Sequence, residues 1–580
     1  MRKSKAVAVL MILGVGVATL STVGTTQAAP AGRFTYQAGP GHPPLSGVAD
    51  RSLLTGTEGV QSSAARRAPG STTRSDDIQV NGDNKRDPGA QRQGSGEGYP
   101  ANETSIAVNP TDRRNVIGGA NDYEPAVDSV MGIYASFDGG RTWPYSGHAR
   151  QVITPSRKML GSGDPVIAFD REGTAYASFI AFGRDDCDSY VAAIRSEDQG
   201  VTWTVPVDSV PADSGLVLGD GIVVHNGGPA DCRIFHDKEW MTAGPRPAGV
   251  PLVPGTDLGK VSADRLYVTW TRFDFGPGGL GFLDAPIFLA FSDDQGRHWS
   301  TPDEISGASA AFCGPQSGDA DPPACDEDQF SIPVVDPRTG RLYVAFENFN
   351  TPGDAANAPG SVGQYLLVRS DDGGQTFSDP VRITGVVDGS GSYPVCADRQ
   401  TLDNMCARVN ANGNIDVDAR TGALYLAWAD NRNGTATDTN VDVFVTRSSN
   451  GGQTWSPARQ VSTNRDDQFF PWLSVSPAGI VAVAYFDRGF AHPLIDTSLA
   501  QSTNGGSTWS VRRVSEVSWS PDLAFRTGVF IGDYNSLDTT ATAALPFWTD
   551  ARFAEPDVPG NNPPHQQSDV MVDVEPLRQR

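Results

Sequence analysis

The sequence predicts an all-β chain folded as a β-propeller, with seven blades favoured and six the alternative. One octapeptide occurs six times, short alternating strands precede each copy, and no stretch carries the 3.6-residue apolar period of a helix. The copies are SFDGGRTW from Ser136, SEDQGVTW from Ser196, SDDQGRHW from Ser292, SDDGGQTF from Ser370, SSNGGQTW from Ser448 and STNGGSTW from Ser502. Departures from Ser-x-Asp/Asn-x-Gly-x-Thr-Trp are mild: His298 replaces Thr, Phe377 replaces Trp, and Asn450 and Asn504 replace Asp. An Asp or Asn folded onto nearby amides, a glycine free to take positive φ and an aromatic plug make a tight hairpin turn, so the motif is structural.

Two strands precede the octapeptide's own strand in every unit. They are ETSIAVNP and NVIGGAND, DPVIAFD and AYASFIAF, DKEWMTA and RLYVTWTRFD, DQFSIPVVD and RLYVAFEN, GNIDVD and ALYLAWADNR, and DQFFPWLSV and IVAVAYFDRG. A seventh unit, FIGDYNSLD, ALPFWTDAR and DVMVDVE, has three strands and no octapeptide. Its fourth strand is expected from residues 77–81, Asp-Ile-Gln-Val-Asn, which would stitch the last blade to the first and remove an open sheet edge. The propeller is therefore placed at 76–580.

The segments before it have other characters. Residues 1–29 carry Arg2, Lys3 and Lys5, an apolar run from Ala6 to about Leu20 and a small-residue end, the order of a secretory signal peptide. Residues 30–75 form a Gly/Ser/Pro-rich linker that cannot bury enough surface to offset its chain entropy, and disorder is expected there. The protein is expected to be secreted, to have no membrane span and to be a monomer. Its six cysteines, none spaced CxxC, suggest disulfides; Cys313 with Cys325 and Cys396 with Cys406 would staple single loops, leaving Cys187 with Cys232.

The chain of 580 residues has 45 basic and 68 acidic side chains and a net charge of −23. Such a balance disfavours a phosphate backbone or an anionic bilayer as partner. Only 6 of the basic residues are Lys, so Lys238 in DKEW stands out.

In a propeller blade, inner-strand starts and second-strand ends share one face, and the octapeptide turns lie on the other. The first set holds Glu103, Asp164, Asp237 with Lys238 and Glu239, Asp328 with Gln329, Asp467 with Gln468, and Asp533 with Tyr534 and Asn535. The second holds Asp122, Arg272 with Asp274, Glu347 with Asn348, Asp430 with Arg432, Asp487 with Arg488, and Asp550 with Arg552. Together they would ring the mouth of a central channel. Each also has an ordinary use, since an acid before a strand caps turns and an Arg beside an Asp pairs with it.

The octapeptides are similar to Asp-boxes, also called bacterial neuraminidase repeats, and residues 76–580 resemble the sialidase-like β-propeller superfamily. That superfamily includes sialidases, other glycosidases, polysaccharide lyases and non-catalytic binding proteins, so the fold alone does not assign an activity. The resemblance implies a Tyr nucleophile assisted by a Glu, an Asp acid/base and three Arg that clamp a substrate carboxylate. Tyr534, in GDYNSL, is similar in context to that Tyr; Glu103 or Glu239 would take its proton, and Asp164 would be the acid/base. The superfamily's Arg-Ile-Pro signature is absent, with ETSIAV in its place. A clamp would have to come from Arg272, Arg432, Arg488 and Arg552, with Asp237, Lys238, Asp328 and Asp533 completing the substrate-binding set.

The function implied is a secreted glycan-processing enzyme, a glycosidase of exo-sialidase type acting at the channel mouth. The alternative is a non-catalytic propeller that binds an extracellular glycan or protein. No cofactor is assigned from the sequence; Ca²⁺ is the candidate ion, at the ring or at DADPPACDEDQ, with Asp319, Asp321, Asp326, Glu327 and Asp328.

Overall fold

Alternating apolar residues punctuated by Gly- and Asp-rich turns form seven antiparallel blade sheets in succession, with a separate two-stranded ribbon pairing Val395–Cys396 with Arg399–Gln400. The computed structural model describes residues 45, 77–81, 100–123, 129–149, 152–154, 160–183, 186–208, 221–228, 230–314, 324–352, 363–388, 391–462, 464–525, 528–554 and 568–578. The signal-peptide reading of 1–29 lies outside them, as does the linker except Leu45.

Blade 1 shows the plan. Ala101–Val108 is innermost, followed by Val116–Asp122, Val130–Ser136 and, outermost, Tyr145–His148. Ala101 lies opposite Asp122, and Asp122 opposite Val130, at one end; Val108, Val116 and Ser136 share the other. The octapeptide after Ser136 is therefore at the end remote from Glu103.

Blades 2 to 6 have inner strands Gly161–Phe169, Ile234–Pro245, Asp328–Val335, Asn414–Val417 and Gln468–Val475. Blade 7 runs from Ser536–Thr539 through Ala543–Asp550 to Asp569–Val572, and Ile78–Gln79 adds the outer strand, Ile78 opposite Val572 and Gln79 opposite Met571. A strand from the chain's beginning thus closes the last sheet. Among the described residues there is no α-helix, and no helix is long and apolar enough to cross a membrane. Three disulfides join Cys187 to Cys232, Cys313 to Cys325 and Cys396 to Cys406.

The octapeptide performs the turn its composition dictates. In the first copy Gly139 and Gly140 have φ of 79° and 88°, and Ser136 Oγ accepts the Gly140 amide at 2.9 Å. Asp138 accepts both the Thr142 amide and its hydroxyl, at 2.8 and 2.7 Å. Trp143 Nε1 donates to the Gly140 carbonyl at 3.0 Å, fixing the ring against the core.

Neighbouring blades are stitched by side chains that accept backbone amides. Ser105 accepts from Ile167, Asn414 from Leu473 and Ser536 from Ile106, at 2.9, 2.7 and 3.1 Å. Asp416 and Asp538 do the same for Val475 and Val108, each at 2.7 Å. Burial pushes these carboxyls up, Asp416 to about 7 and Asp538 to about 6. A raised folded-state pKa means the folded chain holds more protons than the unfolded one, so stability falls as pH rises through that range. Asp138, Asp198 and Asp372 behave oppositely: against partial burial, bonds from the turn's Thr and Ser hold them below 3.8. Their contribution is lost as pH falls through the depressed values. The melting temperature should therefore peak near pH ~5 and fall on both sides. Asp416→Asn with Asp538→Asn should flatten the alkaline limb in a calorimetric pH series; an unchanged limb would refute the assignment.

Candidate functional site

Five inner strands carry the same irregularity. Register shifts fall between Asn102 and Ser105, Gly163 and Val166, Asp237 and Trp240, Gln329 and Ile332, and Phe469 and Trp472. In each, one residue takes a positive φ: Glu103 55°, Asp164 57°, Lys238 48°, Phe330 57° and Phe470 49°. A left-handed non-glycine residue costs on the order of 1–3 kcal/mol, a strain that clusters where side chains must be aimed. In blades 5 and 7 the strand begins later, and Asn414 and Ser536 make the inter-blade contact that Ser105 makes in blade 1. Two residues before them, Asn412 and Tyr534 complete a ring with one residue from every blade.

This ring brings together Tyr534, Glu103, Asp164, Glu239 and Lys238. Asn121 ties two of the acids, donating its Nδ2 to Glu103 Oε2 and accepting the Asp164 amide at 2.7 Å. Glu103 Oε1 accepts the Asp533 amide at 3.2 Å, and Asp164 is close enough for its charge to raise the Glu103 carboxyl. Glu239 Oε1 accepts Ser178 Oγ at 3.1 Å, while its Oε2 is buried without a hydrogen-bond partner. Lys238 Nζ lies 3.8 Å from the Tyr534 ring centroid and 4.6 Å from that of Trp240, a cation–π arrangement. Both Lys238 and Tyr534 are 2% exposed, and neither Nζ nor the phenol oxygen has a hydrogen-bond partner. Trp240 and Trp472, with centroids 4.6 Å apart, pack against Tyr534 and close the channel floor.

Burial and like charge set the protonation of the cluster. Burial first, then Asp164 and Asp533, raise Glu103 well above the usual carboxylate range; burial and then Asp164 raise Glu239. Burial raises the Tyr534 phenol further, with Asp164, Glu103 and Glu239 adding to it. The site is a neutral phenol among carboxyl groups that resist ionisation, the environment in which one acid can be held protonated for general-acid work.

Two segments pack beside the ring. Arg408 donates through Nε to Asp533 Oδ1 at 3.0 Å and through Nη2 to Oδ2, and Asn410 adds a bond to Oδ1 at 3.1 Å. The Arg408 amide donates to the Val529 carbonyl at 3.0 Å, and Tyr123 of blade 1 packs edge-on against Phe525 at 5.1 Å. Residues 391–412, which contain the Cys396–Cys406 disulfide, thus meet 515–525 and 528–533 beside the ring.

The remaining predicted residues lie apart from the Tyr534 cluster. Asp237 Oδ2 accepts Gln329 Nε2 at 3.2 Å. Asp328, raised by burial, accepts Asn348 Nδ2 at 2.8 Å and has Asp326 and Glu304 as its acidic neighbours. The four arginines do not converge. Arg272 holds Asp274 at 2.6 Å, Arg432 holds Asp430 at 2.5 Å, Arg488 holds Asp467 at 2.7 Å, and Arg552 holds Asp550 and Asp77 at 2.6 Å each. Among the described residues no group of three or more His, Cys, Asp or Glu is arranged to hold a metal ion. Asp326, of the DADPPACDEDQ stretch, accepts Asn350 Nδ2 at 3.1 Å. Asp319 and Asp321 lie outside the described residues.

Asn121, Arg408, Asn410, Trp240 and Trp472 belong to the site and were not read as such from sequence. The two tryptophans had a signal, standing two residues after a bulge position in DKEW and FFPW.

The seven blade sheets, the last completed by the strand Ile78–Gln79, define a seven-bladed β-propeller. No protein-family model matches the chain, and no curated protein matches it. Among solved structures it resembles a Hadza microbial sialidase at 14% identity and a TM-score of 0.36, covering 82% of this chain and 66% of that one. The chain thus spans just under two thirds of that sialidase's length. It also resembles an α-L-arabinanase of Penicillium chrysogenum complexed with arabinobiose, at 12% identity, TM-score 0.36, covering 73% and 98%. A third is an intramolecular trans-sialidase of Ruminococcus gnavus, at 13% identity, TM-score 0.35, covering 82% and 94%.

Proposed function

We propose that this chain is a secreted glycosidase acting at the ring around Tyr534. One observation carries the reading: a phenol and an ammonium, both buried without hydrogen-bond partners, stand beside two carboxyl groups, Glu103 and Glu239, raised by their surroundings. Buried polar atoms left unsatisfied cost stability and are retained where chemistry uses them. In the reaction, Tyr534 Oη would attack the anomeric carbon as Glu103 or Glu239, in the fraction of molecules where that carboxyl is ionised and strongly basic, takes its proton, and Asp164 would protonate the departing glycosidic oxygen. Water, deprotonated by Asp164, would then release the sugar. Substrate entry requires displacement of the cover formed by 391–412, 515–525 and 528–533.

The test is turnover by the purified protein on sialosides, arabinan, other plant and microbial polysaccharides, and aryl glycosides. Release of sugar is expected, with kcat lowered ~10²–10⁴-fold in Glu239→Gln. Absence of release from every member of the panel would sink the enzymatic reading. A non-catalytic glycan- or protein-binding propeller is the second reading, favoured by four arginines engaged in their own blades and by the burial of the ring. Binding without turnover, lost in Asp237→Ala with Lys238→Ala, would establish it.

A further inference from the structure

A groove of about 390 Å³ lies between the octapeptide turns of blades 5 and 6, at the end of the blades remote from Tyr534. Val445, Arg447, Trp455 and Arg459 line it on one side and Gly505 and Gly506 on the other. Its size is within the roughly 300–1,000 Å³ of small-ligand sites. A Cβ at Gly505 would stand 3.9 Å from the Arg447 guanidinium carbon, so the turn of blade 6 lies close over that cation.

In three other octapeptides an acid pairs with a nearby arginine. Arg265 pairs with Asp293 at 2.7 Å, Arg297 with Glu197 at 3.7 Å, and Arg341 with Asp371, each acid being the second residue of its octapeptide. In blades 5 and 6 that position is Ser449 and Thr503, and the third position, Asp in the other four copies, is Asn450 and Asn504. From 443 to 460 and from 498 to 515 there is no acidic residue, in a chain of net charge −23. Among the described residues, Arg447 and Arg459 have no carboxylate partner; the Arg447 guanidinium lies 5.6 Å from the Tyr425 ring centroid.

The turn does not demand this change of charge. Asn450 accepts the Thr454 amide at 3.1 Å and donates to its hydroxyl at 2.9 Å; Asn504 treats Thr508 likewise, at 3.0 and 2.8 Å. The same loop forms with either residue, so the selective consequence of Asn is the loss of two carboxylates beside two guanidinium groups. Hydroxyls from Thr446, Ser449, Thr454 and Ser456 complete the lining.

We infer that this groove binds an anionic saccharide, with Arg447 and Arg459 gripping a carboxylate or sulfate and the hydroxyls and Trp455 meeting the sugar. Guanidinium groups suit either oxyanion because both present paired oxygens. Titration calorimetry of the full chain tests this with tetragalacturonate for the carboxylate, a heparin-derived tetrasaccharide for the sulfate, and cellotetraose as the neutral control. At least one anionic probe should bind and cellotetraose should not. Arg447→Ala with Arg459→Ala should weaken that binding ~10-fold or more. Asn450→Asp with Asn504→Asp, which restores the residue four other turns already use, should weaken it ~3-fold or more with an unchanged melting temperature. Binding by neither anionic probe, or affinity unaltered in the arginine variant, overturns the proposal. The readout is independent of turnover, so its failure leaves the reading of the Tyr534 ring standing.

Discussion

Replacing Arg408 with alanine should lower the unfolding free energy by ~3–5 kcal/mol, measured by urea denaturation. Asp533 is 0% exposed and Arg408 6% exposed, and the pair is bidentate. Removing the cation leaves a carboxylate sealed inside the fold with only the Asn410 side chain donating to it. Water cannot easily take the place of the guanidinium, because Phe530 packs 5.5 Å from it and Cys406, Phe525 and Val529 close the same cluster. The cost is that of an orphaned charge, not the net worth of the ion pair. Arg408→Met combined with Asp533→Asn should therefore recover most of the loss, since both charges then leave together. The same single substitution unfastens the cover from blade 7, so amide exchange in 400–412 and 519–530 should quicken more than in the outer strands. A loss under 1 kcal/mol for Arg408→Ala would mean that other contacts hold the cover.

What could be read from the sequence and what could not divide along a physical line. The octapeptide and the alternating strands are local signals: Gly139, Gly140 and Asp138 dictate their turn within eight residues, and the blades follow from strand after strand. Four of the ring residues, Glu103, Asp164, Lys238 and Tyr534, stood in homologous places of the repeat and could be collected by position alone. Their burial could not. It is imposed by 391–412, 515–525 and 528–533, which have no strand alternation and reach the ring through contacts as distant as Arg408 to Asp533. The arginines illustrate the converse. Arg272 and Asp274 share one face of a strand, while Arg432 and Arg552 stand in turns just past strands ending at Asp430 and Asp550, whose carboxylates accept both the arginine amide and its guanidinium. Arg488, fully buried, instead reaches Asp467 and the Asp403 carbonyl, at 2.7 and 2.9 Å, so it braces the cover as well.

Tyr534→Phe should abolish most turnover while leaving the fold as stable as before or more so. The phenol oxygen is buried and makes no hydrogen bond, so it was desolvated on folding with nothing gained in return. Deleting it removes that penalty and leaves the ring's contacts with Trp240, Trp472 and Lys238 in place, so a change of ~0 to +1 kcal/mol in stability is expected. If the oxygen is the nucleophile, kcat should fall ~10³-fold or more, because no other group can form the covalent bond. Lys238→Met extends the argument. It removes a buried ammonium without a hydrogen-bond partner but keeps an apolar stem over the Tyr534 ring, so it should also be neutral or stabilising. Loss of activity alongside retained or raised stability is the signature that separates a functional residue from a packing one. A Tyr534→Phe protein that melts several degrees lower would show that the hydroxyl has a structural partner, and one with full turnover would remove Tyr534 from the chemistry.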